Sequence, residues 1–163
     1  MKKIATMTAA LMLMMALSTG AAFAAVAMEE ATASGDLIKG TAKANTYHGL
    51  GGDDAIHGMG GNDTLYGDGG NDGLYGGAGD DTVRGGAGDD RAEERKVFGG
   101  SGDDTLYGDA GSDALNAGPG NDRIFSVGDG AGDIVDCGSG TDTVKKGPDQ
   151  NLDRFVGCER FVR

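Results

Sequence analysis

The 163-residue chain carries 14 basic and 26 acidic residues, a formal net charge of −12, and 33 glycines against nine aromatic residues, none of them tryptophan. The acidic excess disfavours nucleic acid and anionic lipid as partners and favours cations. So few aromatic residues exclude a large conventional core, and a disordered acidic chain is the alternative that this composition raises.

Residues 1–24 have the layout of a secretory signal peptide. Two lysines precede an apolar stretch from Ile4 to Leu17, and small residues follow up to Ala24. The apolar stretch is shorter than the ~20 residues of a membrane-spanning helix. We therefore expect cleavage after Ala24 or Ala27, export from the cell and no membrane span. Removal of the signal leaves 12 basic against 26 acidic residues.

Residues 25–35 are small, polar and acidic, which predicts a linker. The segments Asp36-Leu37-Ile38 and Asn45-Thr46-Tyr47 then repeat one order of residue types and stand 18 and nine residues before Asp54-Ala55-Ile56. They predict two degenerate repeats that cap the N-terminal end of an array. Asparagine replaces aspartate at position 45, which weakens the first site.

The stretch from Gly51 to Ile124 repeats every nine residues. Each repeat has a glycine-rich part, an aspartate and, two residues later, an aliphatic residue. These aspartates are Asp54, Asp63, Asp72, Asp81, Asp90, Asp104, Asp113 and Asp122. A phase kept this long argues against plain disorder, although order only in the presence of metal remains open. We assign residues 36–144 to the array.

Two offsets break the ninefold spacing. Asp90 and Asp104 are 14 residues apart, which predicts a five-residue insertion at 91–95. We expect these charged residues to loop out and to interrupt the stack of repeats. A second offset, of two residues, separates Asp122 from Asp133.

The C-terminal segment, residues 145–163, leaves the pattern and is basic and apolar. It is predicted to fold over the open end of the array, because a bare strand edge invites pairing with other chains. Cys137 and Cys158 are the two cysteines of the chain. In an exported protein they predict one disulfide; a metal site is the weaker alternative, since no nearby histidine or CxxC motif completes it.

The spacing predicts a coil of two nonapeptides. In each nonapeptide, six residues form a tight turn that glycine permits, and three form a short strand whose middle residue points inward. The inward residues are Ile38, Tyr47, Ile56, Leu65, Leu74, Val83, Val97, Leu106, Leu115, Ile124, Val135 and Val144. Such a thin core does not offset the entropy lost in ordering so many glycines.

Residues 18 apart should stack one strand spacing apart, about 4.8 Å. Stacked carboxylates at that distance repel unless a cation lies between them, and turn carbonyls supply further oxygen ligands. Calcium fits a flexible all-oxygen cage better than magnesium or zinc. The spacing therefore predicts several bound calcium ions.

The segments GGAGDDTV at 76–83 and GGSGDDTL at 99–106 resemble the nonapeptide GGxGxDxUx of the RTX, or hemolysin-type, calcium-binding repeat family, where U is a large aliphatic residue. The resemblance is close from Gly49 to Ile124. It implies an all-β fold, a right-handed parallel β-roll or β-solenoid, with calcium held between turns by the eight sixth-position aspartates and by backbone carbonyls. Toxins of this family are usually large and lack an N-terminal signal, so this chain resembles a small stand-alone bacterial member.

Other residue patterns point to weaker hypotheses. His48 and His57 occupy the ninth position with several aromatic residues, and we expect them to face outward on opposite sheets. Thr46, Thr64 and Thr82 predict an outward row that could bind ice or glycan, although threonine is also common in strands for its β-propensity. No nucleophile with an adjacent base, Walker loop, zinc-protease motif or EF-hand loop is present in the sequence.

Together these patterns predict a secreted, monomeric calcium-binding repeat protein with a structural or interaction role and no enzymatic activity. The alternatives are an extracellular adhesin or ice- or glycan-binding module that uses the outward threonine or aromatic face, and an enzyme whose site has no recognisable motif.

Overall fold

The computed structural model describes residues 31–90, 96–126, 130–147 and 152–162, and these residues form parallel β-strands without a helix. The predicted signal peptide and the predicted insertion at 91–95 lie outside the described residues. Within the described ranges, no helix has the length and apolar character needed to cross a membrane.

The strands form two seven-stranded sheets. The first sheet contains, in spatial order, β1 (Leu37–Lys39), β3 (Ala55–Gly60), β5 (Gly73–Ala78), β7 (Val97–Ser101), β9 (Ala114–Asn116), β12 (Ile134–Asp136) and β15 (Arg154–Val156). The second contains β2 (Thr46–His48), β4 (Thr64–Gly69), β6 (Thr82–Ala87), β8 (Thr105–Ala110), β11 (Arg123–Ser126), β14 (Thr143–Lys146) and β16 (Arg160–Val162). A small third sheet pairs β10 (Pro119–Gly120) with β13 (Ser139–Gly140).

Successive repeats alternate between the two large sheets, so that one strand of each makes one coil. Leu65 pairs with Val83 in the second sheet, and Ile56 pairs with Leu74 in the first. Each of these pairs is 18 residues apart, the length of two nonapeptides. The predicted all-β parallel solenoid is therefore confirmed.

The core is a double row of side chains between the two sheets. All twelve residues predicted to point inward are buried, and none is more than 4% exposed. Because strand side chains alternate between faces, a single aliphatic residue in each repeat suffices to place one side chain per strand in this core.

The strands β3 to β8 are five or six residues long, longer than the three residues predicted. In β3 and β5 the pairing continues past the core position to Met59 with Gly77 and Gly60 with Ala78. Turns of neighbouring coils are also joined: the N–H of Gly61 donates to the carbonyl oxygen of Ala78 at 2.8 Å. The predicted strands were too short because the glycine-rich turns pair in register as regularly as the core positions do.

The offset after Asp90 does not interrupt the stack, so that expectation was wrong. Leu74 pairs with Val97, and Val83 pairs with Leu106, both at a separation of 23 residues instead of 18. The five additional residues fall between two strands. They change the length of a connection without moving any paired position.

The C-terminal segment does not fold over the end of the array as predicted but adds a final coil, so that β15 and β16 are the edge strands of the two sheets. β15 pairs with β12, and β16 pairs with β14. Phe155 and Phe161 pair in register with the core residues Val135 and Val144, although Phe161 is 46% exposed at the end of the array. The Nζ of Lys146 lies 4.4 and 3.8 Å from the two ring centroids. The predicted disulfide between Cys137 and Cys158 is confirmed and ties this last coil to the preceding one.

Candidate metal centre

The sixth-position side chains of the first sheet stand in a column. Each backbone N–H donates a hydrogen bond of 2.6–3.1 Å to Oδ1 of the residue one coil later. This first column consists of Asp36, Asp54, Asp72, Asp90, Asp113, Asp133 and Asp153.

A second column follows the other sheet with the same connectivity, at 2.7–3.0 Å. It consists of Asn45, Asp63, Asp81, Asp104, Asp122, Asp142 and, through Oε2, Glu159. The structure thus places four of the eight predicted ligands in each column. Six members lay outside the predicted ligand set, namely Asp36, Asn45, Asp133, Asp142, Asp153 and Glu159. The sequence signals the last two, since Asp153 and Glu159 both stand two residues before a phenylalanine.

The aspartates in the interior of both columns are buried, whereas Asp36, Asp153 and Glu159 at the column ends are half-buried or exposed. All eight predicted ligands are at most 2% exposed. Seven of these interior aspartates have a buried Oδ2 atom that accepts no hydrogen bond from a described residue. They are Asp54, Asp63, Asp81, Asp90, Asp104, Asp122 and Asp142. A buried carboxylate oxygen without a partner is costly, so these atoms need a cation or a proton.

In most repeats, the first residue is a glycine that lines the space that these oxygen atoms face. A Cβ atom on Gly76 would collide with Oδ2 of Asp81 and lie 2.5 Å from the carbonyl oxygen of Gly99 in the next coil. A Cβ atom on Gly58 would likewise collide with Oδ2 of Asp63. A side-chain oxygen and a backbone oxygen from neighbouring coils therefore converge beside a residue that has no side chain.

The donor set suits a hard cation. Within the described ranges, no three side chains of histidine, cysteine, aspartate or glutamate form a group that could hold a metal. Each site would therefore combine one or two carboxylates with backbone carbonyls, which is the oxygen chemistry that calcium accepts and zinc does not. The residues present fit calcium.

Comparison with known protein families distinguishes a calcium-binding array from other acidic repeat arrays. A family model of four RTX calcium-binding nonapeptide repeats matches residues 39–74, 69–92 and 96–125. The chain belongs to the RTX calcium-binding nonapeptide-repeat family. Searches among curated proteins and among solved structures give no match. RTX repeats bind calcium, which agrees with the oxygen donors of the two columns.

Burial makes the RTX carboxylates weak acids when no metal is present. Desolvation raises the pKa of Asp90 and Asp104 to about 7, and backbone hydrogen bonds from the preceding coil offset this only in part. The same cause raises the pKa of Asp81 and Asp122 to about 6. Column neighbours add to the rise, as Asp72 does for Asp90. In the metal-free fold, Asp90 and Asp104 are therefore partly protonated near neutral pH.

The fifth-position residues of the RTX repeats form an outer ladder that the sequence analysis missed. Its hydrogen bonds run in the opposite direction: the N–H of Asp103 donates to Oδ1 of Asp80 at 3.0 Å, one coil earlier. The N–H of Asn121 donates to Oδ1 of Asp103 at 2.8 Å. The available signal was the Asp or Asn that precedes most sixth-position aspartates. Each turn is consequently tied to both neighbouring coils.

The ninth-position rings cover one another. The rings of His48 and Tyr66 stack at 4.3 Å, and those of His57, Tyr75 and Phe98 follow at 4.4 and 4.9 Å. The two histidines lie on opposite sheets, as expected, and do not converge on one site. Because stacked rings present their edges outward, this arrangement does not favour sugar stacking on aromatic faces.

The predicted threonine row is present and longer than expected. Thr46, Thr64 and Thr82 pair in register, and Thr105 extends the row by one coil. The next position in the same row is Arg123, where the pattern ends.

Proposed function

We propose that this RTX chain is an exported calcium-binding protein whose solenoid becomes rigid when calcium fills its two aspartate columns. The observation that carries the proposal is the set of buried Oδ2 atoms without hydrogen-bond partners beside the first glycines. Export is supported by the signal-like sequence of residues 1–24 and by the fact that RTX repeats are typical of extracellular bacterial proteins.

The residues proposed to hold calcium are the eight sixth-position aspartates, with carbonyl oxygens of the first glycines. Bound calcium would supply positive charge to a row of buried anions and would join adjacent coils. Asp36, Asp133 and Asp142 continue the columns and are proposed as further ligands. The amide of Asn45 carries no charge, and its Oδ1 accepts from the N–H of Thr41 at 2.9 Å, so we propose that the second column ends there.

We propose a structural or interaction role without catalysis. The sequence offers no nucleophile with an adjacent base, and the buried acids that a mechanism could use are assigned to calcium. A monomer is the proposed state, because the disulfide-linked final coil and the N-terminal repeats terminate both ends of the array.

Isothermal calorimetry with calcium and then with magnesium tests the proposal. We expect several calcium ions per chain in the micromolar to millimolar range typical of extracellular calcium modules, and weaker binding of magnesium. Equal binding of the two ions, or no binding of calcium, would reject it.

A further inference from the structure

An oxyanion site is formed on the outer face of the second sheet near its C-terminal end. Arg123 and Arg160 pair with Thr143 from opposite sides, so that the three residues form one row across β11, β14 and β16. We propose that this row binds a phosphate or sulfate ester group between the two guanidinium groups, above the threonine hydroxyl.

The row departs from the pattern that precedes it. Four coils in succession place threonine at this position, from Thr46 to Thr105. The last three coils place arginine, threonine and arginine there instead. Two substitutions therefore flank a retained hydroxyl, and the arginine Cα atoms lie two strand spacings apart, roughly 10 Å. Long side chains span that distance.

The basic side chains of this face form no ion pair within the part of the chain that the structure describes. Arg123, Arg160 and Lys145 are exposed, and none forms an ion pair with a described residue. Arg84, in the middle of the same sheet, behaves differently, since it donates to both carboxylate oxygens of Asp109 at 2.6 and 2.9 Å. In so acidic a chain, three neighbouring cations without a carboxylate partner among the described residues are available for an external anion.

A groove of about 400 Å³ lies over the row. Its lining is polar and consists of Asn121, Asp122, Arg123, Thr141, Thr143 and Arg160. Asp122 is buried, and its Oδ1 accepts the N–H of Asp104, so its charge belongs to the calcium column and not to the open face. Planar guanidinium groups bind phosphate and sulfate through paired hydrogen bonds, which the hydroxyl of Thr143 complements.

The acidic columns oppose an anion at long range. Calcium bound in the columns would neutralise much of that charge, so the anion should bind more tightly to the calcium-saturated protein. This dependence rests on the proposed function, whereas the three cations do not belong to the calcium ligands.

Nuclear magnetic resonance titration of the calcium-saturated protein with glycerol 3-phosphate tests the site. We expect saturable shifts confined to β11, β14 and β16. Arg123→Ala and Arg160→Ala should each weaken binding at least about tenfold, and Arg123→Lys should weaken it less. Lys39→Ala removes one exposed charge at the far end of the array and should leave binding unchanged. The calcium content and circular dichroism of each variant are measured separately. These measurements distinguish a loss of calcium binding from a loss of anion binding.

Two further probes identify the source of the group. Dextran sulfate against neutral dextran tests a polymer, and phosphatidylglycerol vesicles against phosphatidylcholine vesicles test a lipid headgroup; Arg123-dependent binding of either supports the site. Three results would each overturn the proposal: no saturable binding of glycerol 3-phosphate, wild-type affinity in both alanine variants, or a loss of affinity in Lys39→Ala as large as in the arginine variants.

Discussion

The backbone N–H of Asp81 donates to Oδ1 of Asp104 at 2.8 Å, although the two residues are 23 positions apart in the chain. Every other pair of neighbours between Asn45 and Asp122 in this column is separated by 18 residues. The column is therefore continuous across the offset, and what neighbouring coils share is the register of a buried carboxylate.

Replacement of Asp104 by asparagine keeps an acceptor for the N–H of Asp81 but removes the buried charge. We expect the calcium-saturated protein to lose affinity at this site by more than ~10-fold and to melt at a lower temperature. Without metal at neutral pH, the same variant should melt at a higher temperature than the wild type, because a buried charge has been removed. Calorimetry with calcium and with chelator measures both.

Asp103→Asn is the matched control, since Asp103 is exposed and belongs to the outer ladder. This variant should change neither the calcium affinity nor the melting temperature appreciably. A shift of the same sign in both conditions for Asp104→Asn would contradict the role assigned to its charge.

The raised pKa values predict opposite effects of pH on the metal-free and calcium-bound proteins. The pKa of Asp90 and Asp104 is about 7 in the metal-free fold, against an ordinary value of 3.8. Between these values the folded state holds more protons than the unfolded state, so metal-free stability falls as pH rises toward 7. Calcium competes with the same protons, so its affinity should rise over that window.

Calcium titrations at about pH 5 and about pH 8, in buffers of different ionisation enthalpy, measure this linkage. We expect tighter binding at the higher pH and proton release on binding near neutrality. Affinity independent of pH, with no proton released, would show that protons and calcium do not share these carboxylates.

A methyl group at the first glycine should block the site. Gly76→Ala brings a Cβ atom against Oδ2 of Asp81 and the carbonyl of Gly99, and we expect a loss of about 1–3 kcal/mol in calcium-bound stability. Gly51→Ala is the control, because its Cβ atom would meet only the Gly69 carbonyl oxygen at 3.6 Å. Chemical denaturation in excess calcium compares the two. Equal losses of stability would mean that the contacts of a Cβ atom on Gly76 with Asp81 and Gly99 do not block a calcium site.

Removal of the disulfide should loosen the final coil alone. The bond joins residues 21 positions apart, and a loop of that size contributes roughly 3 kcal/mol in the chain-entropy model. In a Cys137→Ala, Cys158→Ala double variant we expect proteolysis to begin in β15 and β16 while calcium binding in the central coils is retained. Loss of all calcium binding would instead make the disulfide a requirement for the whole array.

The core was predictable because it depends on one period. A single aliphatic residue in each nonapeptide determines which side chain turns inward, as Leu65 and Val83 illustrate. The two columns followed from the same count, since residues a coil apart must stack.

Other features depend on details that a period does not contain. The outer ladder of Asp80 and Asp103 could not be predicted from the period alone, because it depends on which neighbouring coil each fifth-position side chain contacts. Glu159 joins the second column only 17 residues after Asp142. The continuity across residues 91–95 likewise depends on the connection being able to lengthen without moving β7.

Above the raised pKa values of about 7, where Asp90 and Asp104 have lost their protons, we expect the buried aspartate columns to keep these coils together only around calcium. Small-angle scattering of one chelator-treated sample at pH 8, before and after addition of calcium and with magnesium as the comparison ion, tests it most directly. We expect an expanded chain that becomes compact with calcium and changes little with magnesium. A chelated sample that is already as compact as the calcium-loaded one would contradict the claim.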